Sequence, residues 1–400
     1  MTPAASPPSA RSTDHPTLGD VVAVLDRLYP PGQAEPWDAV GLVCGDPAAT
    51  VRKVLLAVDP VAEVVQEALE WGAELVVTHH PLLLRPVHSV AATTAKGRVV
   101  HDLVRGGSAL FVAHTNADSA RPGVSDALAR VLGLEDLHPL SARPVDPLDK
   151  VVVFVPTPDA ETLVDALAAA GAGEIGDYRR CAWTTTGTGT FLPGEGASPA
   201  VGEVGRVERV EETRVEMVLP RHRRDAVVAA LRGAHPYEEP AFDLLELAAW
   251  SSPQGIGRVG QLRRPLRLAE LADVVAAALP HTAQGVRVAG HPDDVVRRVA
   301  VCGGSGDSLF DAVRASGADA YVTADLRHHP ASEARETAAG GAPALIDVSH
   351  WASEWPWLHG AAERLAAELA ATGTTVETRV SERRTDPWTF RVPSSGGLVR

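Results

Sequence analysis

The 400-residue chain is short of cysteine, of aromatic residues and of positive charge, and each shortage excludes a class of protein. Its three cysteines, Cys44, Cys181 and Cys302, are far apart and form no Cys-x-x-Cys pair. That excludes a disulfide framework and a thiolate-type zinc site, and it fits a reducing compartment. Against 51 acidic residues stand only 37 basic ones, a net charge of −14, which is the wrong sign for gripping nucleic-acid phosphates. No apolar run is long enough to span a bilayer. The opening stretch MTPAASPPSARSTDHPT lacks the apolar centre of a secretory signal and is rich in Pro, Ser and Ala, the composition of a disordered tail. The expectation is a cytoplasmic protein with neither nucleic acid nor membrane as partner.

What the chain does have is a 45% hydrophobic content and a repeated alternation of strand and helix. VRKVLLAVDP reads as a buried strand, VAEVVQEALEWG as an amphipathic helix with a glycine stop, and ELVVTHHP as the next strand. AKGRVVHDLVRGG and SALFVAHTNAD continue as helix and strand. Further on, VRRVAVCGGSG, SLFDAVRASG, ADAYVTADLRHHP, PASEARETAAGG and APALIDVSHWASE repeat that plan. Alternation of this kind predicts a parallel or mixed sheet with helices packed on it. In both halves a strand ends in a histidine followed four residues later by an acid, His114 with Asp118 and His350 with Glu354. The shared element predicts an internal duplication, two α/β lobes related by a pseudo-twofold axis.

Between the lobes, KVVVFVPTPDAETLVDALAAAGAG and RVEMVLPRHRRDAVVAALRGAHP each read as strand, turn and helix, which predicts a ferredoxin-like α+β module. The Gly/Pro-rich TTTGTGTFLPGEGASPAVGE reads as a long loop or hairpin, and SSPQGIGRVG as the return linker. The fold class expected is α/β: two pseudo-equivalent lobes forming one body, with an inserted module. The expected division is a tail over 1–16, a first lobe over 17–148, the insert over 149–252, a second lobe over 253–390 and a tail over 391–400.

The chemistry gathers at strand ends, where sites form in α/β folds. His79 and His80 are adjacent at the end of an apolar strand, so their side chains leave it on opposite faces. One ion is poorly served by such a pair, but each histidine can hold one of two. With His114, Asp118, His350 and Glu354 they make a nitrogen and oxygen donor set suited to divalent Zn, Fe, Mn, Co or Ni. Glu354 can bridge two ions, and if HWASE opens a helix it shares a face with His350. Each residue also has a plainer reading: a hydrogen-bonded histidine, Asp118 as a turn or cap residue, Glu354 as a solvated helix face. The second doublet, His328 and His329 with Asp325 nearby, is either a rim feature or a proton-transfer group of the same cleft. AHPYEEPAFD is either a functional cluster or a rigid turn before a strand, and the glycines of VCGGSGDS fit a tight strand–helix turn.

The stretches EPWDAVGLVCGDP, VVTHHPLLL, AHTNAD, YVTADLRHHPASEA and LIDVSHWASEWP together resemble the Nif-three-like proteins, the dinuclear metal centre, hexameric-type family also labelled GTP cyclohydrolase 1 type 2 homologues. GDYRRCAWTTTGTGTFLPGEGASPAVGEVGRVERVEE and AHPYEEPAFDL are similar to the PII-like insert of its longer members. The resemblance implies two divalent metal ions per chain, with His80 and Asp118 on one, His79 and His350 on the other, and Glu354 bridging. It implies His114 as a further ligand or base, and a ring-shaped homohexamer. His329 is the second candidate for a catalytic proton carrier. Two departures, Ala324 in TAD and Ser349 with Trp351 in SHW, spare the ligands, and the second is expected to narrow the pocket, which bears on the substrate rather than on metal binding. The expectation is a metal-dependent hydrolase of a small polar substrate of unknown identity that uses a metal-bridging hydroxide. The alternative is a non-enzymatic hexameric metal-binding assembly whose insert senses a ligand.

Overall fold

The computed structural model describes residues 15–336 and 343–393. The tails expected over 1–16 and 391–400 therefore lie largely outside the described residues, as does the end of the PASEARETAAGG helix. The chain divides into two compact units, Met1–Arg143 with Pro253–Arg400, and Pro144–Ser252.

The first unit opens with α1 (Leu18–Leu28), whose start is fixed by a capping box: the Thr17 hydroxyl accepts the Asp20 N–H while the Asp20 carboxylate accepts the Thr17 N–H. There follow β1 (Gly41–Cys44), β2 (Lys53–Ala57), α2 (Ala62–Trp71), β3 (Leu75–Thr78), α3 (Ala95–Gly106), β4 (Ala109–Val112), α4 (Thr115–Ser119) and α5 (Val124–Val131). Strands β2, β3 and β4 are parallel and β1 is an antiparallel edge, in the order β1-β4-β3-β2. Strands β3 and β4 are buried at every position, which is why they read as continuous apolar runs rather than alternating ones.

After β5 (Leu134–Pro144) the chain enters the second unit. It comprises β6 (Leu148–Pro156), α6 (Ala160–Ala169), β7 (Trp183–Phe191), β8 (Glu208–Pro220), α7 (Arg224–Ala234) and β9 (Phe242–Glu246). The sheet order β7-β8-β6-β9 is antiparallel throughout, the arrangement of a β-α-β-β-α-β ferredoxin-like module. Val215, Met217 and Leu219 of β8 alternate inward onto Leu163, Leu167, Val227 and Leu231 of the two helices.

The chain returns through β10 (Ser251–Arg267), so the expected linker SSPQGIGRVG is strand instead. Its glycines allow close approach to β5: a Cβ on Gly260 would lie 2.7 Å from the Glu135 carbonyl oxygen. Then come α8 (Leu268–Ala278), β11 (Arg287–Ala289), β12 (Val295–Ser305), α9 (Phe310–Ser316), β13 (Ala320–Ala324), α10 (His328–Glu336), β14 (Ala344–Val348), α11 (His350–Ala371) and β15 (Glu377–Val380). The order β11-β14-β13-β12 repeats β1-β4-β3-β2, antiparallel edge included, and β10 and β5 extend that sheet.

The two lobes exchange their last helices. Leu128, Ala129 and Leu132 at the end of the first lobe pack into the core of the second sheet. Leu358, Ala361, Leu365 and Leu369 of α11 pack into the core of the first, and β15 pairs with β2. Among the described residues no helix is long and apolar enough to cross a membrane.

Candidate metal centre

The exchange brings the carboxyl ends of β3 and β4 against the start of α11. Strand β3 ends at Thr78, and the next two backbone N–H groups stay tied to its neighbour, His79 to the Ala57 carbonyl and His80 to that of Val58. The backbone is thus fixed while both imidazoles project beyond the sheet. His114 lies at the start of α4 with Asp118 one turn on, and His350 begins α11 with Glu354 one turn on.

All four imidazoles use Nδ1 in the same way. His79 Nδ1 donates to the Ala113 carbonyl at 2.9 Å and His80 Nδ1 to Asp59 at 2.7 Å. His114 Nδ1 donates to Asp38 at 2.9 Å and His350 Nδ1 to Asp325 at 2.7 Å. Each acceptor is a carbonyl or carboxylate, so a proton sits on Nδ1 and Nε2 is left to carry either a second proton or a cation. Carboxylates and carbonyls behind metal-binding histidines do this work in known sites.

The Nε2 atoms meet around one carboxylate. His80 Nε2 lies 3.0 Å from Glu354 Oε2, while His350 Nε2 and His79 Nε2 lie 3.0 and 3.4 Å from Oε1. His79 Nε2 is 3.8 Å from Asp118, and His80 Nε2 is 3.2 Å from His350 Nε2. Ligand atoms of His79, His80 and His114, and of His80, His350 and Glu354, fall into two clusters, each within 4.8 Å. Buried His79 Nε2 and Glu354 Oε2 make no hydrogen bond. The convergence of these nitrogen and oxygen donors, with His79 and Glu354 almost fully buried and His80 and His350 partly exposed, fits a divalent cation.

The electrostatics show the same demand for positive charge. Burial opposes a charged ring most strongly, but Glu354 together with Asp59, Asp325 and Asp118 overcomes it, lifting His80 to about 10 and His350 to about 11 and raising His79 as well. Burial likewise opposes the Glu354 charge, yet His80, His350 and His79 hold its pKa well below the usual range. Burial pushes Asp118 up. Asp38 stays ionised against burial through its bonds with His114 and Thr115.

Gly304, at the end of β12, makes room for this cluster. Its φ is +66°, and a Cβ there would lie 2.5 Å from Glu354 Oε1 and 3.1 Å from His350 Nε2. Its N–H donates to Ser353 Oγ at 2.8 Å and its carbonyl accepts the Thr323 hydroxyl at 3.0 Å.

A family model described as Duf34/NIF3 (NGG1p interacting factor 3) matches residues 16–387. The chain belongs to the Duf34/NIF3 family. It is 52% identical over 374 residues to a "GTP cyclohydrolase 1 type 2 homolog" of Mycobacterium leprae, covering 93% of this chain and 94% of that one. A protein of the same name from Mycobacterium tuberculosis is 53% identical over 372 residues, 93% of this chain and 96% of the relative. Among solved structures, a Bacillus cereus protein related to NIF3 is 35% identical with a TM-score of 0.68, covering 95% of this chain and all of that one. The Staphylococcus aureus protein SA1388 is 27% identical with a TM-score of 0.76 over 95% of this chain.

In this Duf34/NIF3 chain the fold brings His79, His80, His114, Asp118, His350 and Glu354 together. It does not bring in His329, which is exposed on α10 with its ring against His328, 5.1 Å between centroids. Within the cluster Asp118 approaches His79, and His80 approaches His350. Asp38 and Asp59 went unassigned in the sequence reading, and Asp325 was noted only as a neighbour of the cleft. The signals were Asp38 inside EPWDAVG and Asp59 at the end of the strand before the doublet. The role of Gly304 was read only as a turn.

Proposed function

We propose that this member of the Duf34/NIF3 family holds two divalent metal ions and works as a metal-dependent hydrolase. The residues that would hold them are His79, His80, Asp118, His350 and Glu354, with Glu354 placed to serve both, and the ions would be of the Zn, Fe, Mn, Co or Ni type. The observation that carries this reading is the convergence of Nε2 atoms, each ring anchored through Nδ1, on one buried carboxylate. Two such ions, when bound, supply Lewis-acid polarisation and make a shared water acidic near neutral pH.

The protein's own groups do the rest. Asp59, Asp325 and the Ala113 carbonyl hold the rings in one tautomer and one orientation. Buried Trp357, 5.5 Å from His79 between ring centroids, keeps bulk water from the inner face. His114, backed by Asp38, accepts a proton through Nε2 and returns it to the leaving group. Exposed His329 takes no part.

The name carried by the mycobacterial relatives makes GTP the first substrate to try. Metal-loaded protein should consume GTP or another small polar substrate, Glu354→Ala should abolish turnover, and His114→Ala should lower it by about 100-fold while retaining metal. Turnover that is unchanged after chelation or in Glu354→Ala overturns the hydrolase reading. We further propose a homohexameric ring, supported by the family resemblance. Sedimentation velocity tests it, and a concentration-independent monomer contradicts it.

A further inference from the structure

The unit Pro144–Ser252 carries a cavity of about 300 Å³ lined wholly by its own residues. Phe154, Phe191 and Tyr237 supply aromatic surface, and Glu212, Glu238 and Glu239 supply carboxylates, while no Lys, Arg or His lines it. The wall is built by the AHPYEEPAFD stretch. His235 is buried, donates through Nε2 to the Phe154 carbonyl at 2.9 Å and accepts the Tyr237 N–H on Nδ1 at 3.0 Å. The histidine of that stretch is therefore a strut that sets Tyr237 against Phe191, 5.6 Å between centroids at 61°. The Ser198 N–H donates to Glu238 at 3.1 Å and fastens the loop before β8 to the rim.

Two observations point to an occupant. The cavity brings three aromatic rings and three carboxylates together without a basic side chain, and within it the buried Tyr237 hydroxyl oxygen has only the Glu212 carboxylate facing it. Burial, and then the Glu212 carboxylate, push that phenol up to about 12, so it keeps its proton. Glu212 is given space by the TTTGTGT run: a Cβ on Gly189 would lie 2.0 Å from its Oε2. Aromatic faces attract cations, and a lining with three carboxylates and no basic side chain disfavours anions, with Arg214 beside Glu212 just outside it. The Phe154 ring already has the Arg214 guanidinium 5.8 Å from its centroid.

We infer that this pocket binds a small organic cation, an ammonium group on an apolar or aromatic body. The reading is independent of the metal centre.

Titration calorimetry on the full chain tests it with benzyltrimethylammonium, which cannot ligate a metal, beside neutral benzyl alcohol and anionic benzoate. Expected is saturable binding of the cation, at least about tenfold weaker binding of the alcohol, and none of benzoate. Glu212→Gln and Tyr237→Phe should each weaken the cation several-fold with circular dichroism and metal content unchanged, and Glu354→Ala should bind it as the parent does. Benzoate or benzyl alcohol binding as tightly as the cation, no saturable cation binding, or full affinity in both pocket variants would overturn the inference.

Discussion

His80 and His350 are 270 residues apart in sequence, yet their Nε2 atoms lie 3.2 Å from each other. Both rings donate through Nδ1 to an aspartate, so their Nε2 atoms are left to meet with a proton or a cation between them. Such an approach is unfavourable unless a positive charge joins it, and a divalent ion supplies that charge most directly.

Removing an anchoring aspartate should therefore loosen the metal without unfolding the chain. Asp59→Asn and Asp325→Asn are each expected to weaken metal affinity about 10- to 100-fold. Competition with a chelator of known affinity measures this, and unchanged affinity in both variants would count against the anchoring role.

Gly304→Ala should strike the site from its other side. The added methyl group meets Glu354 and His350 at a left-handed backbone position, a cost of about 1–3 kcal/mol. A lower thermal midpoint together with reduced metal content is the expected result. A variant as stable and as metal-rich as the parent would show that the loop yields.

The lobe exchange gives a prediction away from the site. Arg258 is 1% exposed, pairs with Asp126 at 2.7 Å, and donates to the carbonyls of Ala120, Gly255 and Gly257. Asp126→Ala strands that charge and should cost about 3–5 kcal/mol, read as a shift of the urea midpoint.

In the inserted unit, buried Asp149 accepts from Arg224 and Arg221. The Arg224 hydrogen bond, acting against burial and helped by Arg221, holds its pKa below the ordinary value. The unfolded chain then binds the proton more readily. The stabilisation is complete above the unfolded carboxyl value of about 3.9 and is lost as pH falls through the lower folded value. Urea midpoints of the parent and Asp149→Asn should differ near pH 6 and converge near about pH 2. A constant difference across that range would contradict the linkage.

Much of this was legible in the sequence, for identifiable reasons. ELVVTHHP and SALFVAHTNAD announced buried parallel strands because both faces of β3 and β4 are covered. The two His-x-x-x-acid elements marked the site because one helical turn places both side chains on one face. What remained hidden depends on contacts remote in sequence. Asp38 reaches His114 across 76 positions, and an aspartate in a loop carries no local sign of that partner. SSPQGIGRVG looked like a linker because glycines usually break strands, whereas here they let β10 lie close against β5. The doublet His328–His329 imitates His79–His80 in sequence, but it falls on the exposed start of a helix rather than at a buried strand end.

The central claim is best tested by elemental mass spectrometry on gently purified, untagged protein, measured beside Glu354→Ala. About two divalent ions per chain in the parent, and a clear loss in a variant that keeps its circular dichroism, is the predicted result. Little metal in either protein, even after reconstitution with Zn, Mn, Fe, Co and Ni, would contradict it and leave the histidines as a protonated cluster held by Glu354.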